Sequence, residues 1–117
     1  MKKYRLENFT RGWLIGDFEP NIVKTKNFEV MVTSLEKGHK DPKHVHMIAD
    51  EITIIISGSF KRNGEIYKAG DIIHLYPGES SDSECLEDGV CVAVKLPSVM
   101  GDKYLVEDKD QAGSFHT

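Results

Sequence analysis

Apolar residues in this chain come in short runs that alternate with polar positions, and turn-forming residues separate one run from the next. The densest run, residues 52–56 (Ile-Thr-Ile-Ile-Ile), places four isoleucines in five positions and reads as a strand buried on both faces of a closed or sandwiched sheet. With Glu51 facing inward, alternation carries Thr53 and Ile55 inward too. Residues 27–35 form another β-rich segment, with Phe28, Val30 and Val32 on one face. Its other face carries Glu29, Met31 and Thr33 and looks onto either solvent or a polar pocket. Residues 10–18 read as a first strand bearing the only tryptophan, Trp13, and Glu19-Pro20-Asn21 breaks it. Asn63-Gly64, between residues 59–62 and 65–68, predicts a tight hairpin. Ala69-Gly70-Asp71 then turns into a strand over 72–76, which Pro77-Gly78 ends. Residues 83–86 and 90–96 are expected to close the fold as a hairpin about Glu87-Asp88-Gly89, setting Cys85 opposite Cys91. No long segment shows 3.6-residue apolar spacing, so the pattern predicts an all-β sandwich or barrel.

At 117 residues the chain is expected to form one domain, residues 1–117, with its core over about 10–97 and a loosely packed tail over 98–117. Within that tail, Tyr104, Leu105 and Val106 are the residues suited to dock on a neighbour. A hydrophobic content of 39% with 29% charged residues marks an ordinary globule and excludes a disordered chain. The net charge of −4 gives no electrostatic case for nucleic acid or an anionic membrane as a partner. The basic start is followed by no apolar run, and no stretch approaches the roughly 20 residues of a membrane span, so a cytoplasmic location is expected. In that reducing compartment Cys85 and Cys91 are expected to be small buried thiols.

Candidate chemistry concentrates in residues 38–58. His44 and His46 stand two apart on an extended segment, so their side chains share a face, with Cα atoms roughly 6.5–7 Å apart. The four residues between His46 and Glu51 suffice for a turn that brings the carboxylate beside the imidazoles. Two imidazoles and a carboxylate form the facial set of non-haem iron, which zinc and manganese also accept. On spacing alone, a solvated polar turn is the commoner meaning of such a segment.

Gly38, His44, His46, Glu51 and Gly58 fit the first motif of the cupin family, G-x5-H-x-H-x3-4-E-x6-G, at all five positions. This stretch therefore resembles a cupin. The resemblance implies a jelly-roll β-barrel (a double-stranded β-helix) and one divalent ion, iron, zinc, manganese or nickel, held by His44, His46 and Glu51. It also implies pairing into homodimers, a family habit that the terminal segments could serve. The second motif, G-x5-P-x-G-x2-H-x3-N, matches only in part. Gly70 and Gly78 fit, but Tyr76 stands at the proline, Ser81 at the ligand histidine and Cys85 at the asparagine. Three arrangements stay open. The site has three protein ligands; or His74, Asp82 or Glu84 supplies the missing one; or the ion is lost and the pocket kept. Against loss, two imidazoles and a carboxylate are costly to bury without a partner. His74 has a simpler meaning as a hydrogen-bonded structural histidine. Lys95 shares a face with Cys91 and Ala93; facing inward it would hold an anionic group, but lysine is rarely buried and an outward Lys95 is expected.

Three function classes follow. A metal-dependent enzyme would act on a small polar molecule, sugar-like or an organic acid, by isomerase/epimerase-type or dioxygenase-type chemistry. The others are a non-catalytic small-molecule-binding cupin and a barrel merely pinned by its metal. The open coordination favours the enzyme, because structural sites are normally closed by four protein ligands.

Overall fold

The computed structural model describes residues 1–106 and the backbone of a strand at Phe115–His116. Among the described residues there are nine strands: β1 (Trp13–Ile15), β2 (Glu29–Leu35), β3 (Lys40–His46), β4 (Asp50–Arg62), β5 (Glu65–Lys68), β6 (Ile72–Leu75), β7 (Ser80–Leu96), β8 (Lys103–Val106) and β9 (Phe115–His116). The fold is all-β. Among the described residues the helical pieces are two 3₁₀ turns, Leu6–Asn8 and Thr10–Gly12, and no helix is long and apolar enough to cross a membrane.

Two long strands organise the molecule. The second half of β7 lies between β2 and the first half of β4, with Lys95 opposite Glu29 on one side and Glu51 on the other. The first half of β7 lies between β3 and the end of β4, where Cys85 faces Phe60 across the ladder. One sheet is thus β1-β2-β7-β4-β6 and the other β5-β4-β7-β3-β8-β9, all antiparallel. Serving both sheets forces β4 and β7 to bend together, and the register between them shifts repeatedly over residues 55–60.

Glycine makes that bend. Gly58 has φ +79°, and a Cβ there would sit 2.5 Å from the Asp88 carbonyl oxygen and 2.6 Å from the Gly89 Cα. A Cβ on Gly89 would meet the Ser57 carbonyl oxygen from the other side, closer still. The expected hairpin about residues 87–89 is therefore corrected: β7 runs unbroken from Ser80 to Leu96. Gly89 is needed for close backbone approach, which a sequence cannot distinguish from a turn. Cys85 and Cys91 consequently lie along one strand, as free thiols packed with Ile55 and Phe60 in the core.

The Asn63-Gly64 hairpin forms as expected, with φ of +49° and +84° at its two residues and Arg62 opposite Glu65. The first strand is shorter than the expected 10–18, because Arg11 and Gly12 adopt left-handed conformations within the Thr10–Gly12 turn. Burial of residues 52–56 is one-sided. Thr53 and Ile55 are buried inside, whereas Ile52 and Ile54 are half-buried and Ile56 is exposed. The register continues this outer face as two aliphatic rows, Val30-Val94-Ile52 and Val32-Val92-Ile54-Ile72.

The sheet also extends beyond Leu96. β8, expected in a loose tail, pairs with β3 by setting Leu105, Tyr104 and Lys103 opposite His44, Val45 and His46. Ser98 and Asp102 ahead of it are buried. Residues 107–114, which belong to the same expected tail, lie outside the described residues.

Candidate metal centre

β3 carries both histidines on one face, as period-two alternation requires, with ring centroids 5.1 Å apart. Pro42 sits where the β3–β7 register is irregular, between Asp41 and His44, so its missing N–H interrupts no regular pairing. After His46 the chain turns through Met47, Ile48 and Ala49 and enters β4 at Asp50, placing Glu51 on the inner face. The donor atoms of His44, His46 and Glu51 all lie within 4.8 Å of one another. Bonds of about 2.0–2.2 Å to one ion bring adjacent donors to roughly 3–3.5 Å, so modest side-chain adjustment closes the set.

Electrostatics favour ligation. Burial lowers the His44 pKa below its ordinary 6.5, partly opposed by its hydrogen bond to the Pro42 carbonyl. That 3.2 Å bond, with Nδ1 donating, leaves the Nε2 lone pair free. Burial, then the charge of Lys95, lowers His46 to about 4. Both rings are therefore neutral at neutral pH, the form that binds metal. The His46 Nδ1 is buried with no hydrogen-bond partner and lies 3.8 Å from the Glu51 carboxylate. A buried ring nitrogen without a partner is rare and calls for an explanation. A cation at this point satisfies it, so the residues present fit a divalent ion.

Among the other sequence candidates, Ser81 is at the site: buried, and directly opposite His44 across the β3–β7 ladder. Its hydroxyl donates to the Asp82 carbonyl at 2.7 Å, so no fourth imidazole or carboxylate takes the place that the resemblance gives to a histidine. Asp82, at the cavity edge, accepts from the Asn63 amide at 2.7 Å and caps the hairpin. Glu84 alternates with the inward-facing Ser81, Ser83 and Cys85 and so points outward. His74 is excluded as a ligand. Cross-strand from the outward-facing Ile52, it is exposed, hydrogen-bonded to Asp50 at 2.9 Å and stacked on Tyr76. The expectation for Lys95 is corrected: its amine lines the cavity, 3.3 Å from Glu29 and 5.2 Å above the Trp13 ring. The partner carboxylate makes this inward lysine tolerable. Glu29, Met31 and Thr33 line the same cavity, so the inner face of β2 is a pocket wall.

The sequence did not point to two further residues. Arg62 lines the cavity, with Nη1 3.6 Å from Glu51 and 3.5 Å from the Thr53 hydroxyl. Counted from Glu51, alternation would turn it outward, but the irregular register near Gly58 shifts the phase and turns it in. Gly58 was the available signal. Asp102 is buried and accepts from the Met47, Ile48 and Ala49 amides at 2.9–3.2 Å, clamping the turn that joins His46 to Glu51. Only the adjacent Gly101 hinted at a local role.

The cavity measures about 790 Å³, enough for a small molecule beside an ion. No family model matches the chain, and no curated protein matches it. Solved structures do. A Klebsiella pneumoniae protein with a double-stranded β-helix domain is 22% identical over 92% of this chain and 99% of its own, with a TM-score of 0.68. An RmlC-like cupin from Shewanella frigidimarina is 20% identical over 67% of this chain and 72% of its own, with a TM-score of 0.60. The DMSP lyase DddQ from Ruegeria pomeroyi is 18% identical over 85% of this chain and 52% of its own, with a TM-score of 0.68. With two sheets sharing bent strands around an interior His-His-Glu cluster, this protein has the cupin fold, a double-stranded β-helix.

Proposed function

We propose that the protein is a divalent-metal enzyme acting on a small polar molecule, sugar-like or an organic acid, by isomerase/epimerase-type or dioxygenase-type chemistry. The observation that carries this reading is the convergence of His44, His46 and Glu51 inside the cavity, with a serine at the fourth position. Three protein donors with a position left for water or substrate are the pattern of catalytic sites, whereas structural sites are closed. A divalent ion held there supplies a Lewis acid for a carbonyl or hydroxyl oxygen or, as iron, a centre for oxygen chemistry. The chain's own residues do the rest. Asp102 fixes the turn between the ligands, the Thr53 hydroxyl donates to Glu51, and Trp13 and Phe18 help wall the cavity from water. That a lyase shares the fold supports the enzyme reading over a binding module without turnover.

Metal analysis of untagged protein, beside a His44→Ala/His46→Ala variant, tests the proposal. One ion per chain, lost in the variant, is expected. Iron with oxygen uptake on adding a diol or keto acid selects the dioxygenase. Zinc, manganese or nickel without uptake leaves isomerisation or simple binding, which NMR of the products separates. Wild-type protein that takes up no ion on supplementation ends the proposal.

We further propose that two copies pair through the outer aliphatic rows, where Ile72 is 65% exposed, and that the protein works in the cytoplasm. Burial pushes the Cys91 thiol up to about 11 and raises Cys85 as well, which suits inert, reduced side chains.

A further inference from the structure

Arg62 has more hydrogen-bonding capacity than its surroundings use. A guanidinium carries five N–H donors in a planar fork. The contacts of this one are Nη1 to Glu51 at 3.6 Å and to Thr53 at 3.5 Å, both longer than the 2.7–2.9 Å of a formed charge-assisted bond. Its Nε is buried without a partner, and its side chain is only 17% exposed. Lys95 differs: Glu29 lies 3.3 Å away, takes the Ser98 hydroxyl at 2.7 Å on its other oxygen, and leaves that pair balanced. Along the inner walls Glu29 thus stands with Lys95, and Glu51 with Arg62. An ion on Glu51 would take up the carboxylate facing Arg62 and leave that guanidinium without a counter-charge of its own. Among the more exposed acids of the lining, Asp41 is paired with His39 and Glu19 with Lys24, and solvent screens them.

Resting on the metal reading above, we infer that Arg62 is the anion-binding residue of the site and that the substrate is an organic acid. It carries a carboxylate on Arg62 in addition to the oxygens that face the ion. A planar carboxylate matches the guanidinium fork in shape and charge, which a hydroxyl or water does not. Arg62 therefore selects among molecules whose other end is the same.

Calorimetric titration of the metal-loaded protein with malate and with lactate isolates this role, because the two share a hydroxy-carboxylate head and differ in the second carboxylate. The wild-type protein is expected to bind malate at least about tenfold more tightly, the least a hydrogen-bonded ion pair contributes. Arg62→Gln is expected to erase that preference while leaving ion content and lactate affinity unchanged. Arg62→Lys, which keeps the charge without the fork, should retain part of the preference and decides the matter if the glutamine variant fails to fold. Equal binding of the two acids by the wild type, or a preference that survives in Arg62→Gln, overturns the inference while the metal site stands. Wild-type protein that holds no ion removes the metal reading instead, and metal content measured on every sample tells the two failures apart.

Discussion

Asp102 gives the sharpest test of how the site is held. Its carboxylate gathers three consecutive amides, Met47, Ile48 and Ala49, from a turn more than fifty residues away in sequence. Asp102→Asn keeps the volume but replaces one acceptor oxygen with a donor that faces amide donors; Asp102→Ala removes the acceptor altogether. A hydrogen bond to a charged group contributes about 1.5–3 kcal/mol, and a buried donor left unmade costs about 1–3 kcal/mol. The Ala49 bond is fully buried and carries its full value, while those of Met47 and Ile48 are only partly buried and water replaces them in part. About 3–4 kcal/mol is therefore expected for Asp102→Ala and about 2–3 kcal/mol for Asp102→Asn. With a urea m-value of about 1.5 kcal/mol/M, the alanine variant should unfold at a midpoint about 2–2.7 M lower. Because the turn sets Glu51 against His46, metal affinity of the asparagine variant, measured by competition with a chelator, should fall about 10–100-fold. An unchanged midpoint together with unchanged affinity would refute the claim that this carboxylate positions the ligands. A lowered midpoint with full affinity would reduce it to a purely structural clamp.

Ser81→His puts an imidazole opposite His44, and it should raise metal affinity at least about tenfold while reducing turnover by filling the open position; unchanged affinity by chelator competition would show that this place does not face the ion. Stability of the metal-free protein should depend on pH through the depressed histidines. Below about 6.5 the unfolded chain takes up protons that folded His46 refuses until about 4, so stability is complete above 6.5 and falls as the pH drops toward 4. The loss is at most about 3 kcal/mol for that group, His44 adds to it with the same sign, and urea midpoints at pH 7.5 and 4.5 should show it. A flat profile, or one that rises on acidification, contradicts the burial of these rings. Ile72→Lys charges the exposed end of an outer aliphatic row and should convert a dimer to a folded monomer in light scattering, with an unchanged far-UV spectrum; a variant that stays dimeric places the interface elsewhere.

Much of this protein follows from local order in the chain. Alternation alone sets His44 and His46 on one face, and Asn63-Gly64 alone makes its hairpin, because a strand's period and a turn's φ angles are properties of adjacent residues. The first motif, from Gly38 to Gly58, marks the cluster and the fold in the sequence itself. Long-range contact decided the remainder. Gly89 looked like a turn residue, yet Gly58 of another strand needs it as a point of close approach, and β7 stays whole. The irregular register beside Gly58 shifts the alternation, which turns Arg62 into the cavity against the local count. Ser81 meets His44 only through β3–β7 pairing, and Lys95 is tolerated inside only because Glu29 stands across the ladder. Asp102 finds its three amides from a separate segment. Sequence pattern specifies what neighbours in the chain do to one another; which way a side chain faces after a bulge, and what partner it finds there, depends on strands that meet only once the barrel closes.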